Sequence, residues 1–365
     1  MSSPPSPAEG PRVLHVVPAM FGKDGVTGGA ERYVLELART MSGVVPTRLV
    51  TFGAEDRLIN DGSLALRVIG RTRYIRGQRA NPFSLAITSE LRGADVVHCH
   101  QKHITMSTFL AMSGRFLRKP VFVTDLGGGG WDISSYVNTD RLFTGHLHIS
   151  EYSRKVFGHE KNRRARVIGG GVDADQFSPD GRERGNRVLF VGRLLPHKGI
   201  DVLIRALPTG MNLEIIGKPY DERYHEDLRK LAESKAVVFR YECGDAELIE
   251  AYRGASCVVL PSVYTDLYGA STKVPELLGQ SLLEGMACGA PAIATDVASL
   301  PEIIEDGISG FIVLPNDVEA LRGRLQLLAT DAALRRSMGD AARARVLEQF
   351  RWHSVVERCL EAYGE

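Results

Sequence analysis

From residue 13 to residue 348, short apolar, β-branched runs alternate with amphipathic stretches, and this alternation most restricts what the chain can fold into. Strands separated by helices line up in parallel, and a parallel sheet needs helices on both faces. In the first half, strands are expected near 13–18, 48–52, 95–99, 121–125 and 146–150, with helices near 29–41, 85–92, 104–116 and 151–157. A second series has strands near 188–192, 213–217, 237–240, 257–261, 292–295 and 310–314. Its helices fall near 200–207, 221–234, 246–252, 275–288, 318–329 and 332–348.

Between the two series lies a loop-rich passage, 167–187, containing GGGVD, Pro179 and the charged run GRERGNR. The chain has 365 residues, more than one core usually organises, so two domains are the default. The boundary is placed at 180/181, giving a first domain over 12–180 and a second over 181–347. The halves share an architecture but no sequence period, so this is not a repeat array. The fold class is therefore α/β, two doubly wound parallel-sheet domains. Open parallel sheets bind ligands at the carboxyl ends of their strands, and a cleft between the domains is the expected active site.

Composition removes several function classes. With 45 Lys+Arg against 44 Asp+Glu the formal charge is +1, so no global field favours nucleic acid or an anionic membrane. Five cysteines (Cys99, Cys243, Cys257, Cys288 and Cys359) are scattered without metal-ligand spacing, which fits reduced thiols in a cytoplasmic protein. The opening MSSPPSPAEGP is polar and Pro-rich, without the pattern of a signal peptide, and a disordered tail is expected over 1–11. No apolar run approaches the roughly 20 residues that span a bilayer.

The most informative segment is PELLGQSLLEGMACGAPAIATD, in which Glu276 and Glu284 flank Gly279. A helix starting near Gly279 would offer the amides of Gln280, Ser281 and Leu282 to an anion such as a diphosphate. Glu276 would then lie beside whatever the phosphate carries, and Glu284 further along the helix. Carboxylates accept hydrogen bonds from vicinal hydroxyls, so the spacing reads sugar, phosphate, ribose in order. The bland alternative is an amphipathic helix with two solvated glutamates.

Two further segments carry chemistry. In VLFVGRLLPHKGIDVLIRAL, Arg193 and Lys198 leave a buried strand that ends at Gly192. Two cations there can neutralise a leaving diphosphate without a metal, although solvated loop cations would look the same. In MFGKDGVTGGAERYVLELA, Gly28 and Gly29 would let backbone approach a phosphate or a reacting sugar. The segment lacks the dinucleotide pattern GxGxxG, which removes the main support for a nicotinamide cofactor.

Other polar clusters have simpler readings. His98, His100 and His103 in HCHQKH are read as strand-end histidines and not as a metal centre, so no metal site is expected. RTRYIRGQR, with Arg71, Arg73, Arg76 and Arg79, and FLRK at 116–119 are solvated surface or a weak peripheral contact with a membrane or an anionic acceptor.

Together these segments resemble family-4 retaining glycosyltransferases of the GT-B fold, in which two Rossmann-like domains face a cleft. The similarity runs from GGAERYVLELA through ADVVHCH, HISEYSRKVF, GVDADQFSPD, VGRLLPHKG and PSVYTDLYG to LLEGMACGAPAIATD and LPEIIEDGISGFIV. The resemblance implies that Glu276 binds donor-sugar hydroxyls, Glu284 the ribose, and Arg193 with Lys198 the diphosphate. Gly28 and Gly29 would underlie the phosphate, and base contacts are expected near Gly217, Arg240 and Tyr241. It implies that FRWHSVVERCLEAY, within 348–365, is a last helix returning to the first domain. No cofactor or metal is implied beyond the nucleotide-sugar donor, most commonly a UDP-sugar, and an acceptor hydroxyl on a natural product, a sugar or a lipid-linked glycan.

Two positions depart from the family. Relatives often carry a histidine that contacts the donor sugar where this chain reads VFVTDLGGGGW, placing Asp125 there. Asp125 could bind a sugar hydroxyl, orient the acceptor or cap the glycine turn 127–130. Gly170 replaces the usual Asn at the domain junction, and the stretch YTDLYGASTKVP is longer than usual. A nucleotide-sugar epimerase of the same fold and a non-catalytic nucleotide-sugar-binding protein remain as alternatives, and a pyridoxal-dependent phosphorylase would need a cofactor lysine.

Overall fold

In β1 (Val13–Val16) all four residues are buried, as a strand covered on both faces requires. The computed structural model describes residues 10–22, 25–26, 28–127 and 131–364, so most of the expected tail, residues 1–9, lies outside the described residues. The chain divides into two units, Met1–Gly171 with Trp352–Glu365 and Val172–Arg351. The position 180/181 therefore falls inside the second unit.

In unit 1, β1 is followed by a short antiparallel ribbon of β2 (Phe21–Gly22) and β3 (Gly25–Val26) and then by α1 (Gly29–Ser42). On α1, Tyr33, Val34, Leu37, Ala38 and Met41 recur at helical spacing and are buried. Next come β4 (Thr47–Phe52), β5 (Arg57–Asp61), β6 (Leu64–Ile69), a ribbon of β7 (Arg73–Tyr74) and β8 (Pro82–Phe83), and α2 (Ile87–Gly93). β9 (Val96–Cys99), α3 (Thr105–Leu117), β10 (Val121–Val123), β11 (Gly145–His148), α4 (Glu151–Val156) and β12 (Ala165–Val167) complete the series. The sheet order is β12-β11-β10-β9-β1-β4-β6-β5, parallel except where β5 runs antiparallel to β6. Leu14, Val50, Ile69, Val97, Leu110 and Val123 belong to one buried apolar cluster.

Unit 2 contains β13 (Arg187–Val191), α5 (Ile200–Ala206), β14 (Asn212–Ile216), α6 (Glu222–Ala232), β15 (Val237–Arg240), α7 (Asp245–Gly254) and β16 (Cys257–Leu260). α8 (Gln280–Ala287), β17 (Ala292–Thr295), α9 (Leu300–Ile303), β18 (Gly310–Val313), α10 (Val318–Thr330) and α11 (Ala332–Gln349) follow. Its sheet runs β15-β14-β13-β16-β17-β18, all parallel. In chain order that is the third, second, first, fourth, fifth and sixth strand, the Rossmann order, which reverses between β13 and β16.

The expected helix over 275–288 is shorter than its pattern suggested. α8 begins only at Gln280, because Gly279 at φ +81 turns the chain into the left-handed region that stops a helix from extending back through it. The last helix, α12 (Trp352–Gly364), belongs to unit 1. Its Trp352 ring meets Tyr33 edge-on at 5.0 Å, and the Tyr363 hydroxyl lies 2.8 Å from His98 Nδ1.

Candidate active site

In unit 2 the strand order reverses between β13 and β16, the place where open parallel sheets bind ligands, and backbone approaches in the loops there are close. The Gly217 amide bonds the Arg240 carbonyl, and a Cβ on Gly217 would lie 1.9 Å from the Gly192 carbonyl oxygen. A Cβ on Gly199 would lie 2.0 Å from the Pro261 oxygen. Side chains at either position would wedge apart the loops that carry Arg193, Lys198 and Ser262.

The Lys198 ammonium pairs with Glu276 Oε1, and both side chains are largely buried. The same carboxylate oxygen accepts a hydrogen bond from Ser262 Oγ at 2.9 Å. Thr295 Oγ1 in turn donates to the Ser262 carbonyl at 2.5 Å, joining the ends of β16 and β17. Glu276 is thus fixed by two donors from two loops. Arg193 is exposed, its guanidinium 5.7 Å from the Tyr220 ring, and no carboxylate among the described residues pairs with it. Burial, and then the adjacent Lys198 charge, push the His197 imidazole below its ordinary range.

Gly279 caps the start of α8, and a Cβ there would meet Leu300 Cδ2 at 2.8 Å. Of the three amides expected at this terminus, that of Leu282 is already committed, donating to the Gly279 carbonyl at 3.0 Å. This correction follows from tightening of the first turn, which uses an i to i+3 bond. Gln280 and Ser281 precede it in the first turn of α8. Glu284 is buried and accepts from the Tyr252 hydroxyl at 2.8 Å and from Gln280 Nε2 at 3.4 Å. Glu276 and Glu284 therefore stand on either side of the helix start.

The expected base-contact residues are engaged within the protein. Arg240 bonds Glu214 at 2.9 Å and approaches Glu247 at 3.4 Å, while Glu214 also pairs with Arg187 at 2.9 Å. The Tyr241 hydroxyl lies 2.7 Å from His225 Nε2. The segment 264–275 is an ordered turn: Asp266 Oδ1 accepts from the Tyr268 and Ala270 amides, and Tyr268 donates to Asp227 at 2.7 Å.

In unit 1, Gly28 caps α1 in an extended conformation, and a Cβ on Gly29 would meet nothing within 4 Å. The fold itself does not require glycine at 29. Asp125 is buried and accepts from the Gly127 amide at 2.9 Å, the capping role, while its other oxygen lies 3.9 Å from His103 Nε2. The rest of the glycine turn, 128–130, lies outside the described residues, as do 23, 24 and 27 of the first glycine loop.

His98 and His100 share a face, as expected, and His15 on β1 joins them. His98 bonds Thr124 Oγ1 at 2.7 Å through Nε2 and Tyr363 through Nδ1. His15 meets His100 at 2.8 Å and the Met41 sulfur at 3.2 Å. Both nitrogens of His98 and of His15 are thus occupied, while His100 Nδ1 is buried without a hydrogen-bond partner. In the basic run, Arg76 stacks 3.5 Å above the Trp131 ring, and buried Asn81 bonds the Trp131 carbonyl and the Thr105 amide.

Sequence reasoning passed over Ser262, Thr295 and Tyr252, which orient the two glutamates. Ser262 sits directly after a strand in PSV, a position that could have flagged it. Tyr252 lies on α7, 32 positions before Glu284, with no local signal.

Two sheets, parallel but for the edge strand β5, one of them in Rossmann order with a cation–carboxylate pair at its switch point, define the class: a two-domain Rossmann-like protein of GT-B architecture. Residues 172–345, nearly all of unit 2, match the family model for glycosyl transferases group 1. The chain is 33% identical over 233 residues to a GDP-mannose-dependent alpha-(1-6)-phosphatidylinositol monomannoside mannosyltransferase of Mycolicibacterium smegmatis, covering 58% of this chain and 60% of that one. It is 31% identical over 252 residues to a D-inositol 3-phosphate glycosyltransferase of Acidothermus cellulolyticus, covering 62% and 53%. The chain spans about half the length of the first curated relatives it matches. Among solved structures it is similar to Anabaena HepE in complex with UDP and glucose (TM-score 0.72, 17% identity, 97% of this chain and 100% of that one). It is also similar to sucrose-phosphate synthase of Thermosynechococcus elongatus (TM-score 0.70, 20% identity, 97% and 98%).

Proposed function

We propose that the protein is a metal-independent, retaining glycosyltransferase that moves a sugar from a nucleotide-diphosphate donor, a UDP-sugar first among them, to an acceptor hydroxyl. The observation that carries this reading is Glu276, held by Lys198 and Ser262 at the edge of unit 2 where the strand order reverses. The family match over 172–345 and the names of the relatives, all sugar-transfer enzymes, support it. UDP is favoured by the complex formed by the structural relative HepE, and GDP-mannose is the runner-up from the mannosyltransferase.

Breaking the anomeric carbon–oxygen bond leaves positive charge on the sugar and negative charge on the departing diphosphate, so the reaction needs placed charge more than a nucleophile. Arg193 and Lys198 would meet the diphosphate together with the start of α8, and Lys198 would exchange part of its bond to Glu276 for the phosphate. Glu276 would hold the sugar hydroxyls and Glu284 the ribose. The acceptor oxygen attacks from the face the diphosphate leaves, and its proton passes to the departing phosphate oxygen, which yields retention. We assign the work to a reducing compartment, in which the five cysteines, none in a disulfide, stay thiols.

The test is a screen of UDP-, GDP- and ADP-sugars by thermal shift, followed by acceptor trials with the best donor. A bound nucleotide sugar at about 100 times its Kd stabilises by about 2.7 kcal/mol. Nuclear magnetic resonance of the product's anomeric centre then reads the stereochemistry. Inversion would refute the front-face route, and an epimerised donor formed without acceptor would replace transfer by epimerisation.

A further inference from the structure

A second histidine cluster in unit 1 lies apart from everything used above. Asp140 begins the short turn Asp140–Leu142 before β11, His146 and His148 occupy alternate positions on β11, and His159 follows α4. The three imidazoles are buried. One ligand atom from each of Asp140, His146 and His159 falls within 4.8 Å of the other two.

His146 Nε2 lies 3.2 Å from the Asp140 carbonyl oxygen, and two ring nitrogens of the cluster, His148 Nδ1 and His159 Nε2, are buried without a hydrogen-bond partner. His159 Nδ1 lies 2.9 Å from His148 Nε2. His159 Nε2, on the opposite edge, is buried without a hydrogen-bond partner, although Asp140 Oδ2 is only 3.3 Å away. A buried polar atom left unmatched costs about 1–3 kcal/mol. If His159 donates from Nδ1 to His148, its Nε2 carries a lone pair aimed at a carboxylate oxygen, two acceptors facing one another. A cation between them satisfies both. Ligands about 2.0–2.1 Å from a tetrahedral zinc stand about 3.3–3.4 Å apart, which is the separation between these two atoms.

Zinc takes neutral imidazoles and an ionised carboxylate as ligands, the residue types that meet here. His148 then acts as the partner that fixes the ligand's tautomer, as outer groups do around histidine ligands. Lys102 occupies the other oxygen of Asp140, leaving Oδ2 to the metal.

The geometry points to a divalent transition-metal site, zinc by its ligand set, made by Asp140, His146 and His159 and oriented by His148. It would tie the turn before β11, the strand itself and the segment after α4. It is separate from the donor chemistry proposed for unit 2 and replaces the expectation of a metal-free chain for unit 1 alone.

The full chain, stripped with a chelator, is dialysed against zinc for metal analysis and titrated with Co²⁺ for its visible spectrum. One zinc per chain and an intense four-coordinate Co²⁺ spectrum are expected. Both should be lost in Asp140→Asn and His159→Gln, with circular dichroism confirming the fold. His148→Gln should bind about 10–100-fold more weakly, and His100→Gln should bind normally. A wild-type chain that holds no zinc and gives only the spectrum of hydrated Co²⁺ overturns the proposal, whatever the variants do. So does binding that survives Asp140→Asn and His159→Gln, or that disappears in His100→Gln.

Discussion

Lys198 and Glu276, 78 positions apart in sequence, form a largely buried ion pair at the carboxyl edge of the second sheet. Removing one partner leaves the other charge unmatched, which for buried pairs costs about 3–5 kcal/mol. Lys198→Met should therefore lower the urea midpoint of unit 2, and Lys198→Met combined with Glu276→Leu should recover most of the loss while restoring no transfer. Recovery of activity along with stability would mean that the pair serves only the fold.

The glycines separate into two kinds. Gly217→Ala and Gly279→Ala drive a methyl group into the Gly192 carbonyl and the Leu300 side chain respectively, so both should melt well below the parent. Gly29→Ala meets open space and replaces glycine at a helical position, worth up to about 1 kcal/mol of stability. If Gly29 serves a close approach by ligand, this variant keeps or gains thermal stability yet transfers more slowly. Calorimetry beside initial rates would separate the two effects.

Tyr252 reaches Glu284 from a neighbouring helix. Tyr252→Phe removes a hydrogen bond to a buried carboxylate, an interaction worth about 1.5–3 kcal/mol. Nucleoside diphosphate should bind about tenfold or more weakly by isothermal calorimetry. Binding of a donor fragment that lacks the ribose should be unaffected if Glu284 holds that ring.

The histidine core of unit 1 makes its stability depend on pH. Burial holds His15 down at about 3, below the roughly 6.5 of an unfolded chain. A depressed folded value means that the unfolded state takes up the proton first, so the contribution is complete above pH 6.5 and is lost as the pH falls towards 3. At pH 5 the loss from His15 alone is about 2 kcal/mol, and His98 and His100 shift in the same direction. Urea titrations at pH 7 and pH 5 should show the drop, and His15→Asn should flatten it.

Much of this was legible in the sequence because its carriers are local. The central parallel strands are apolar runs bounded by turn residues, and β13 and β16 fall within a residue or two of their expected places. β5 was missed because it is an edge strand with exposed positions, and its neighbour β6 was missed with it; β12 was missed because it has three residues amid arginines. Glu276 and Glu284 were visible through Gly279, whose left-handed backbone sets the start of α8 between them. The groups that aim them were not: Ser262 and Tyr252 act through contacts that the sheet order creates. Arg240 looked available for a base because the Glu214 that holds it sits one strand away.

The most direct test of the account is the initial rate of nucleoside diphosphate release from the donor chosen by the screen, with acceptor present, for the parent chain and for Lys198→Ala confirmed folded by circular dichroism. Loss of one preorganised charge at a developing oxyanion costs about 10²–10³ in kcat. The account predicts a fall of that size for Lys198→Ala. Transfer by Lys198→Ala at the parental rate would contradict the assignment of Lys198 to the donor diphosphate.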